Sequence, residues 1–243
     1  MACGRLPMAI GMGADRADMA EDLFADPGLC KRNSRIPFTL ARFISNGIPI
    51  MNIKNIGLFF GSFNPVHIGH MIIAQHVLNE TELEEIWFVV SPHNPLKEKK
   101  TLAADHDRLY LVQEAIGAHP KIRASSVEFN LPKPSYTIDT LMHLREKYPA
   151  HSFSMLMGGD NLQHFHKWKN HELLLRDYEV YVYDRPQSDT SAFHDHPSVH
   201  FLEATQMNIS ATHIRKLIKN GKSIQFLVPD SVFEAINASN LYR

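Results

Sequence analysis

The chain has 243 residues, 44% hydrophobic and 21% charged, the composition of a globular protein long enough for one large domain or two small ones. Lys plus Arg number 25 against 26 Asp plus Glu, so a formal charge of −1 supplies no basic field for a nucleic-acid backbone or an anionic membrane. No apolar run approaches the ~20 residues of a membrane span, and with cysteines only at Cys3 and Cys30 a disulfide framework or cysteine zinc site is excluded from residues 51–243.

Residues 1–50 carry Gly4, Gly11, Gly13, Pro7, Pro27, Pro37 and Pro49 without a sustained apolar period, and are expected to be a disordered leader. Arg5, Arg16, Lys31, Arg32, Arg35 and Arg42 are interrupted by Asp15, Asp18, Glu21, Asp22 and Asp26, against the acid-poor pattern of a mitochondrial presequence. No hydrophobic segment suits a secretory signal. Met51-Asn52-Ile53-Lys54 stands directly before the first strand pattern, so a start assigned too far upstream is the simplest reading; a regulatory extension is the alternative. The folded domain is expected over 51–243.

From residue 53 short apolar runs alternate with helical spacing. Strands are predicted at 54–60, 86–91, 121–129, 153–157, 178–183 and 199–202. Helices are predicted at 69–80, 105–118 and 136–147, with apolar residues three and four apart, as at Leu109, Val112, Ala115 and Ile116. Crossover helices of this length make the strands parallel and place helices on both faces. The fold class is therefore α/β, a doubly wound, mostly parallel sheet in three layers. Ligands in such sheets bind at the carboxyl ends of the strands, where the strand order reverses. Asp184 to Pro197 is polar and aperiodic and reads as a long mobile loop. All 15 histidines follow residue 50; most, such as His76, His119, His143 and His151, are scattered and read as surface or helix-end residues.

The first strand is followed by Gly61-Ser62-Phe63-Asn64-Pro65-Val66-His67-Ile68-Gly69-His70 and then by a helix. Neither a G-x-G-x-x-G nor a Walker A pattern is present; Gly221-Lys222-Ser223 lacks the first glycine, since position 216 is Lys, and reads as a helix C-cap. Gly61 lets backbone approach a ligand, and the helix start is expected to present free N–H groups to an anion. His67 and His70 are three apart and share a helical face, as a phosphate clamp or, on the plainer reading, as capping residues. Zinc lacks a third ligand, and His171-Glu172 is not H-E-x-x-H because position 175 is Leu. Further on, Asn208-Ile209-Ser210-Ala211-Thr212-His213-Ile214-Arg215 opens a helix to about Asn220. Ser210 is its natural N-cap, and Arg215 can reach back over the helix start. Two such starts at one sheet suit a polyphosphate lying across it.

These two motifs together resemble the nucleotidyltransferase superfamily and, within it, the bacterial nicotinate-nucleotide adenylyltransferases. Ser91-Pro92-His93-Asn94-Pro95-Leu96-Lys97, Ser135-Tyr136-Thr137-Ile138-Asp139-Thr140, Met157-Gly158-Gly159-Asp160-Asn161-Leu162 and Phe165-His166-Lys167-Trp168 resemble the family's substrate loops. Asn64 stands where many members have Asp, and Ala211 where many have Ser.

The resemblance implies a Rossmann-like nucleotidyltransferase fold and a cytoplasmic enzyme of NAD biosynthesis. Its reaction would join ATP and nicotinate mononucleotide to give nicotinate adenine dinucleotide and pyrophosphate. ATP would bind at Gly61, Ser62, Phe63, His67, His70, Gly158, Asp160, Ile209, Ser210 and Arg215, with His67, His70 and Arg215 catalytic and Mg2+ arriving with the nucleotide; no residue is assigned as a metal ligand. Nicotinate mononucleotide would bind at Asn94, Lys97, Tyr136, Thr137 and Trp168. In that setting Asp160 suits a ribose hydroxyl and Lys97 the mononucleotide phosphate. Trp168, in a polar stretch, suits the pyridine ring, whereas Trp87 in an apolar strand packs. Backbone N–H groups at Tyr136 and Thr137 favour the pyridine carboxylate over an amide. No nucleic-acid or membrane partner is expected, and self-association stays open. The rivals are another nucleotidyltransferase, such as a phosphopantetheine adenylyltransferase, and a nucleotide sensor without turnover.

Overall fold

The computed structural model describes residues 53–92, 102–183, 188–204 and 208–243; the first fifty residues lie outside them. Six strands, β1 (Lys54–Gly61), β2 (Glu85–Val90), β3 (Ile122–Ser125), β4 (His151–Gly158), β5 (Val180–Tyr183) and β6 (Val199–Leu202), form one sheet. Its order is β3-β2-β1-β4-β5-β6, with every neighbouring pair parallel. The helices are α1 (Ile68–Glu80), α2 (Asp105–Ile116), α3 (Thr137–Lys147), the single turn α4 (Gly159–Leu162), α5 (His171–Asp177), α6 (Ala211–Lys219) and α7 (Asp230–Ala238). The chain builds outward from β1 to β3, returns to the other side of β1 for β4, and builds outward again. The order reverses between β1 and β4, which opens a crevice at their carboxyl ends.

Strand alternation divides the apolar residues between two cores. Phe59, Ile86, Phe88, Val90 and Leu156 point to one, closed by Ile73 and Val77 of α1, Leu111 and Val112 of α2, Ile214 of α6, and Val232 and Ile236 of α7. Ile56, Leu58, Trp87, Val89, Met155 and Val182 point to the other, closed by Ile138, Leu141 and Leu144 of α3 and by Leu174 and Leu175 of α5. The three-layer α/β expectation is therefore met by side chains as well as by topology. Trp87 is buried as expected, and its indole N–H donates to Glu85.

Several boundaries differ from the expectation. The strand predicted over 121–129 stops at Ser125, and Val127–Asn130 is a 3-10 turn. That turn buries Glu128, which a continued strand at the sheet edge would have carried past its partners Ser135 and Thr140. The helix predicted to 118 ends at Ile116, where Gly117 takes φ +55. Within the stretch read as a mobile loop, 184–187 lie outside the described residues, while Asp189 accepts from the Ser191 N–H and hydroxyl and fixes the turn Ser191–Phe193. Helices α5 and α7 were not expected; α7 follows Pro229 and places Val232 and Ile236 four apart, a short pattern. The C-cap reading of Gly221 holds: at φ +65 its N–H meets the Ile218 carbonyl, and that of Lys222 meets Leu217, a Schellman closure of α6.

Candidate active site

The turn leaving β1 is shaped by aromatic packing. Phe63 sits at φ +43, a region costing a non-glycine residue about 1–3 kcal/mol, and it is held there by burial. Its ring lies 5.7 Å from Phe59, 5.1 Å from Phe88 and 5.1 Å, edge-on, from the His70 ring. A Cβ at Gly61 would come within 2.8 Å of the Phe63 ring, so the residue before the turn must be glycine. Phe63 therefore shapes the loop through its core-facing ring, and any contact of its own with a nucleotide falls to the backbone.

His67 is the N-cap of α1 and His70 its third residue, in a reciprocal capping box. The two rings stack at 3.7 Å, and the His67 backbone N–H donates to His70 Nδ1 at 3.2 Å. The plainer reading of the pair as capping residues is thus met by this geometry. A ring whose Nδ1 accepts a backbone proton carries its own on Nε2 when neutral, so the cap fixes the tautomer that offers an N–H donor. The expectation of free amides at this helix start is corrected for two of them: the Ile68 N–H donates to the Leu227 carbonyl at 3.0 Å and the His70 N–H to the His67 carbonyl at 2.9 Å.

The second motif lies against the first. Ser210 caps α6 by accepting from the His213 N–H at 3.2 Å, with Ile209 half-buried on the first core. Arg215 reaches back as its position predicts, donating to the Thr212 hydroxyl at 3.2 Å, and goes further, donating to the Asn64 carbonyl at 2.7 Å. The Asn64 amide oxygen accepts the Ala103 N–H at 3.1 Å, so an amide serves here as a structural acceptor where many members carry an acid.

Across the crevice β4 ends at Gly158, and exposed Asp160 stands in the first turn of α4. A Cβ at Gly158 would overlap the Asp160 carboxylate and lie 3.1 Å from the Tyr183 ring, so glycine is what admits both groups. Farther along the same edge, Tyr136 caps α3 and is followed by Thr137. The Lys169 ammonium lies 4.7 Å above the Tyr136 ring and pairs with Asp139 at 2.9 Å. Trp168 is half-buried and tilted against buried Phe165 at 5.0 Å. The indole assigned to the pyridine ring from its polar stretch thus packs in part on the second core. Asn94 and Lys97 lie outside the described residues.

The sequence reading missed Arg108. Its side chain is fully buried, and its five N–H donors serve the carbonyls of Ser62 (2.6 Å), Ser91 (2.9 Å), Pro92 (3.4 Å) and Ala103 (3.1 Å) and the Asp105 carboxylate (2.7 Å). Burial pulls its pKa below the ordinary arginine value, and the Asp105 contact opposes this. Arg108 thus ties the loops leaving β1 and β2 to the start of α2. The signal was present, since Arg108 shares a helical stripe with buried Leu111 and Val112, where a charge has no place unless it is bonded. Glu128 is the second omission: buried, it accepts from the Ser135 and Thr140 hydroxyls beneath the start of α3, and burial raises its pKa. Among the described residues no group of three or more His, Cys, Asp or Glu is arranged to hold a metal ion, and no helix is long and apolar enough to cross a membrane.

Residues 58–217 match the cytidylyltransferase-like family. A curated relative from Flavobacterium psychrophilum, named a probable nicotinate-nucleotide adenylyltransferase, is 49% identical over 190 residues, covering 77% of this chain and 98% of its own. A relative of the same name from Cytophaga hutchinsonii is 50% identical over 187 residues, with 77% and 97% covered. Among solved structures, the Plasmodium falciparum nicotinic acid mononucleotide adenylyltransferase complexed with NaAD shares the fold with a TM-score of 0.66 and 22% identity, over 78% of this chain and 97% of that one. On this match and these relatives, the chain belongs to the cytidylyltransferase-like family and, within it, to the nicotinate-nucleotide adenylyltransferases.

Proposed function

We propose that this protein transfers the adenylyl group of ATP to nicotinate mononucleotide, giving nicotinate adenine dinucleotide and pyrophosphate. The observation that carries this reading is the junction at Asn64, where the guanidinium of the second motif is bonded to the backbone of the first, three residues before the paired histidines. A phosphate oxygen of the mononucleotide attacks the α-phosphorus of ATP; a new P–O bond forms as the bond to the β-phosphate breaks. The attacking oxygen is already anionic, so no base is required and the work is positioning and charge stabilisation. His70 offers Nε2–H to the α-phosphate, with its ring held by His67. Arg215 and Ser210 face the β and γ groups, and Asp160 accepts a ribose hydroxyl beside Gly158.

Asp160 is the one carboxylate assigned to this crevice, beside imidazoles, a hydroxyl and a guanidinium, and no group of three or more ligating residues occurs among the described residues, which suits magnesium carried by the phosphates rather than by a protein cage. When bound there it supplies charge neutralisation to the leaving pyrophosphate. On the acceptor side, Lys97 and Asn94 are proposed for the mononucleotide phosphate end, Trp168 for the pyridine ring, and the start of α3 at Tyr136 and Thr137 for its carboxylate. Pyrophosphate release with ATP and a panel of acceptors tests the reading. Release with nicotinate mononucleotide is expected. Turnover confined to phosphopantetheine would transfer the chain to a different branch of the superfamily, and binding of ATP without turnover on any acceptor would make it a sensor.

A further inference from the structure

The start of α3 poses an electrostatic problem for the ligand proposed above. Asp139 is the one acidic residue in its first turn, and a carboxylate there repels a second carboxylate brought to the same helix end. Lys169, from the turn that carries Trp168, meets both Asp139 oxygens, at 2.9 and 3.2 Å, and lies over the ring of the helix cap Tyr136. Its ammonium thus bridges the two elements assigned to the pyridine end of the acceptor. Both side chains of the ion pair are close to half exposed, at 44% and 45%, and exposed pairs of this kind add ~0–1 kcal/mol to folding. Stability is therefore a poor account of a cation held by a carboxylate and an aromatic face together.

We infer that Lys169 is a specificity-determining residue, which by neutralising Asp139 and capping Tyr136 with a positive charge makes the start of α3 accept an acidic pyridine in preference to its amide. The inference rests on the function proposed above and adds a side-chain charge to the backbone amides of Tyr136 and Thr137. The physical division is simple: amides orient the ligand's carboxylate, while the sign of the local field decides whether an acid or a neutral group is favoured there. Sequence alone did not suggest this, because residues 139 and 169 belong to segments thirty positions apart.

The test compares kcat/KM for nicotinate mononucleotide and nicotinamide mononucleotide in wild type, Lys169→Met, Asp139→Asn and the double variant, at low and high salt. In Lys169→Met the acid-to-amide ratio is expected to fall about three- to tenfold through a higher KM for the acid, an effect that shrinks as salt screens the exposed charges. The double variant, with the repelling carboxylate removed as well, is expected to recover most of the ratio, and Asp139→Asn alone to keep or raise it. Melting temperatures should stay close to wild type throughout. Equal losses on both acceptors, or a double variant no better than Lys169→Met, would reduce Lys169 to a structural contact while leaving the proposed function intact. A wild type that turns over neither mononucleotide would overturn the proposed function, and the inference with it.

Discussion

Arg215 donates to the main-chain carbonyl of Asn64 at 2.7 Å, across 151 residues of sequence. One guanidinium therefore holds the position of the β1 loop and keeps charge at the end of the crevice proposed for the phosphates. Arg215→Ala is expected to lower kcat by roughly 10²–10³, the range for loss of one preorganised transition-state donor, with the circular dichroism spectrum retained. Arg215→Lys, which lacks the planar fork, should recover only a small part of that activity in a pyrophosphate-release assay.

At His70 the cap uses Nδ1 and the proposed chemistry uses Nε2. His70→Ala removes both and should lower turnover by roughly 10²-fold. His70→Asn keeps a side-chain acceptor near the His67 N–H but offers no Nε2–H, so it is expected to melt near wild type while remaining as inactive as the alanine variant. Substantial turnover in the asparagine variant would show that the ring acts only as a cap.

Arg108 differs from both because it is fully buried. Replacing it with Met removes the donor to four carbonyls and to partly exposed Asp105, and leaving a buried acceptor unpaired costs about 1–3 kcal/mol. Urea unfolding should register that loss for Arg108→Met and a smaller one for Arg108→Lys, which retains the charge and three donors. A midpoint unchanged in Arg108→Met would contradict the role given to it here.

Arg108 also marks the boundary of what the sequence made legible. The strand-and-helix rhythm, the glycine at the β1 exit, the histidine pair and Ser210 with Arg215 could be read because each is local, within one turn or one motif. Arg108 and Lys169 act on carbonyls or a carboxylate brought to them from distant segments, and Glu128 on hydroxyls across an irregular turn, so periodic spacing along the chain is silent about these partners. Trp168 lay between these cases: its polar neighbours along the chain suggested exposure, while Phe165, three residues earlier, packs against it.

Trp168→Ala should raise KM for nicotinate mononucleotide about two- to tenfold, from a stacking contact worth about 0.5–1.5 kcal/mol, with KM for ATP nearly unchanged. Because the indole packs on Phe165, the free variant should also melt below wild type. Equal rises in both KM values would place the residue outside the pyridine end.

Glu128 sets a pH dependence of stability. Burial raises its pKa above the ordinary 4.5, although hydroxyls of Ser91, Thr140 and Ser135 bond to it. Between those two values the folded state holds a proton that the unfolded chain has released, so stability falls as pH rises through the window and stays lower above it. Glu128→Gln cannot ionise; relative to wild type its melting temperature should climb as pH rises above 4.5, measured by scanning calorimetry. Parallel curves for the two proteins would refute the assignment.

The hydrogen bond from Ile68 to Leu227 matters during synthesis as well as in the finished molecule. The β1 turn is made early, and its partners Arg215 and Leu227 follow some 150 residues later, roughly 8–30 s at a ribosome's pace of about 5–20 residues per second. During that interval Phe59, Phe63 and Phe88 lack Ile214, Val232 and Ile236, which complete the same core. A nascent chain in this state presents a parallel sheet with one apolar face partly uncovered, a form that favours chaperone capture over nucleotide binding. Ribosome-bound chains stalled before residue 211 should consequently fail to retain ATP, because the proposed phosphate-binding arginine and the partner of the Ile68 amide have not yet been made.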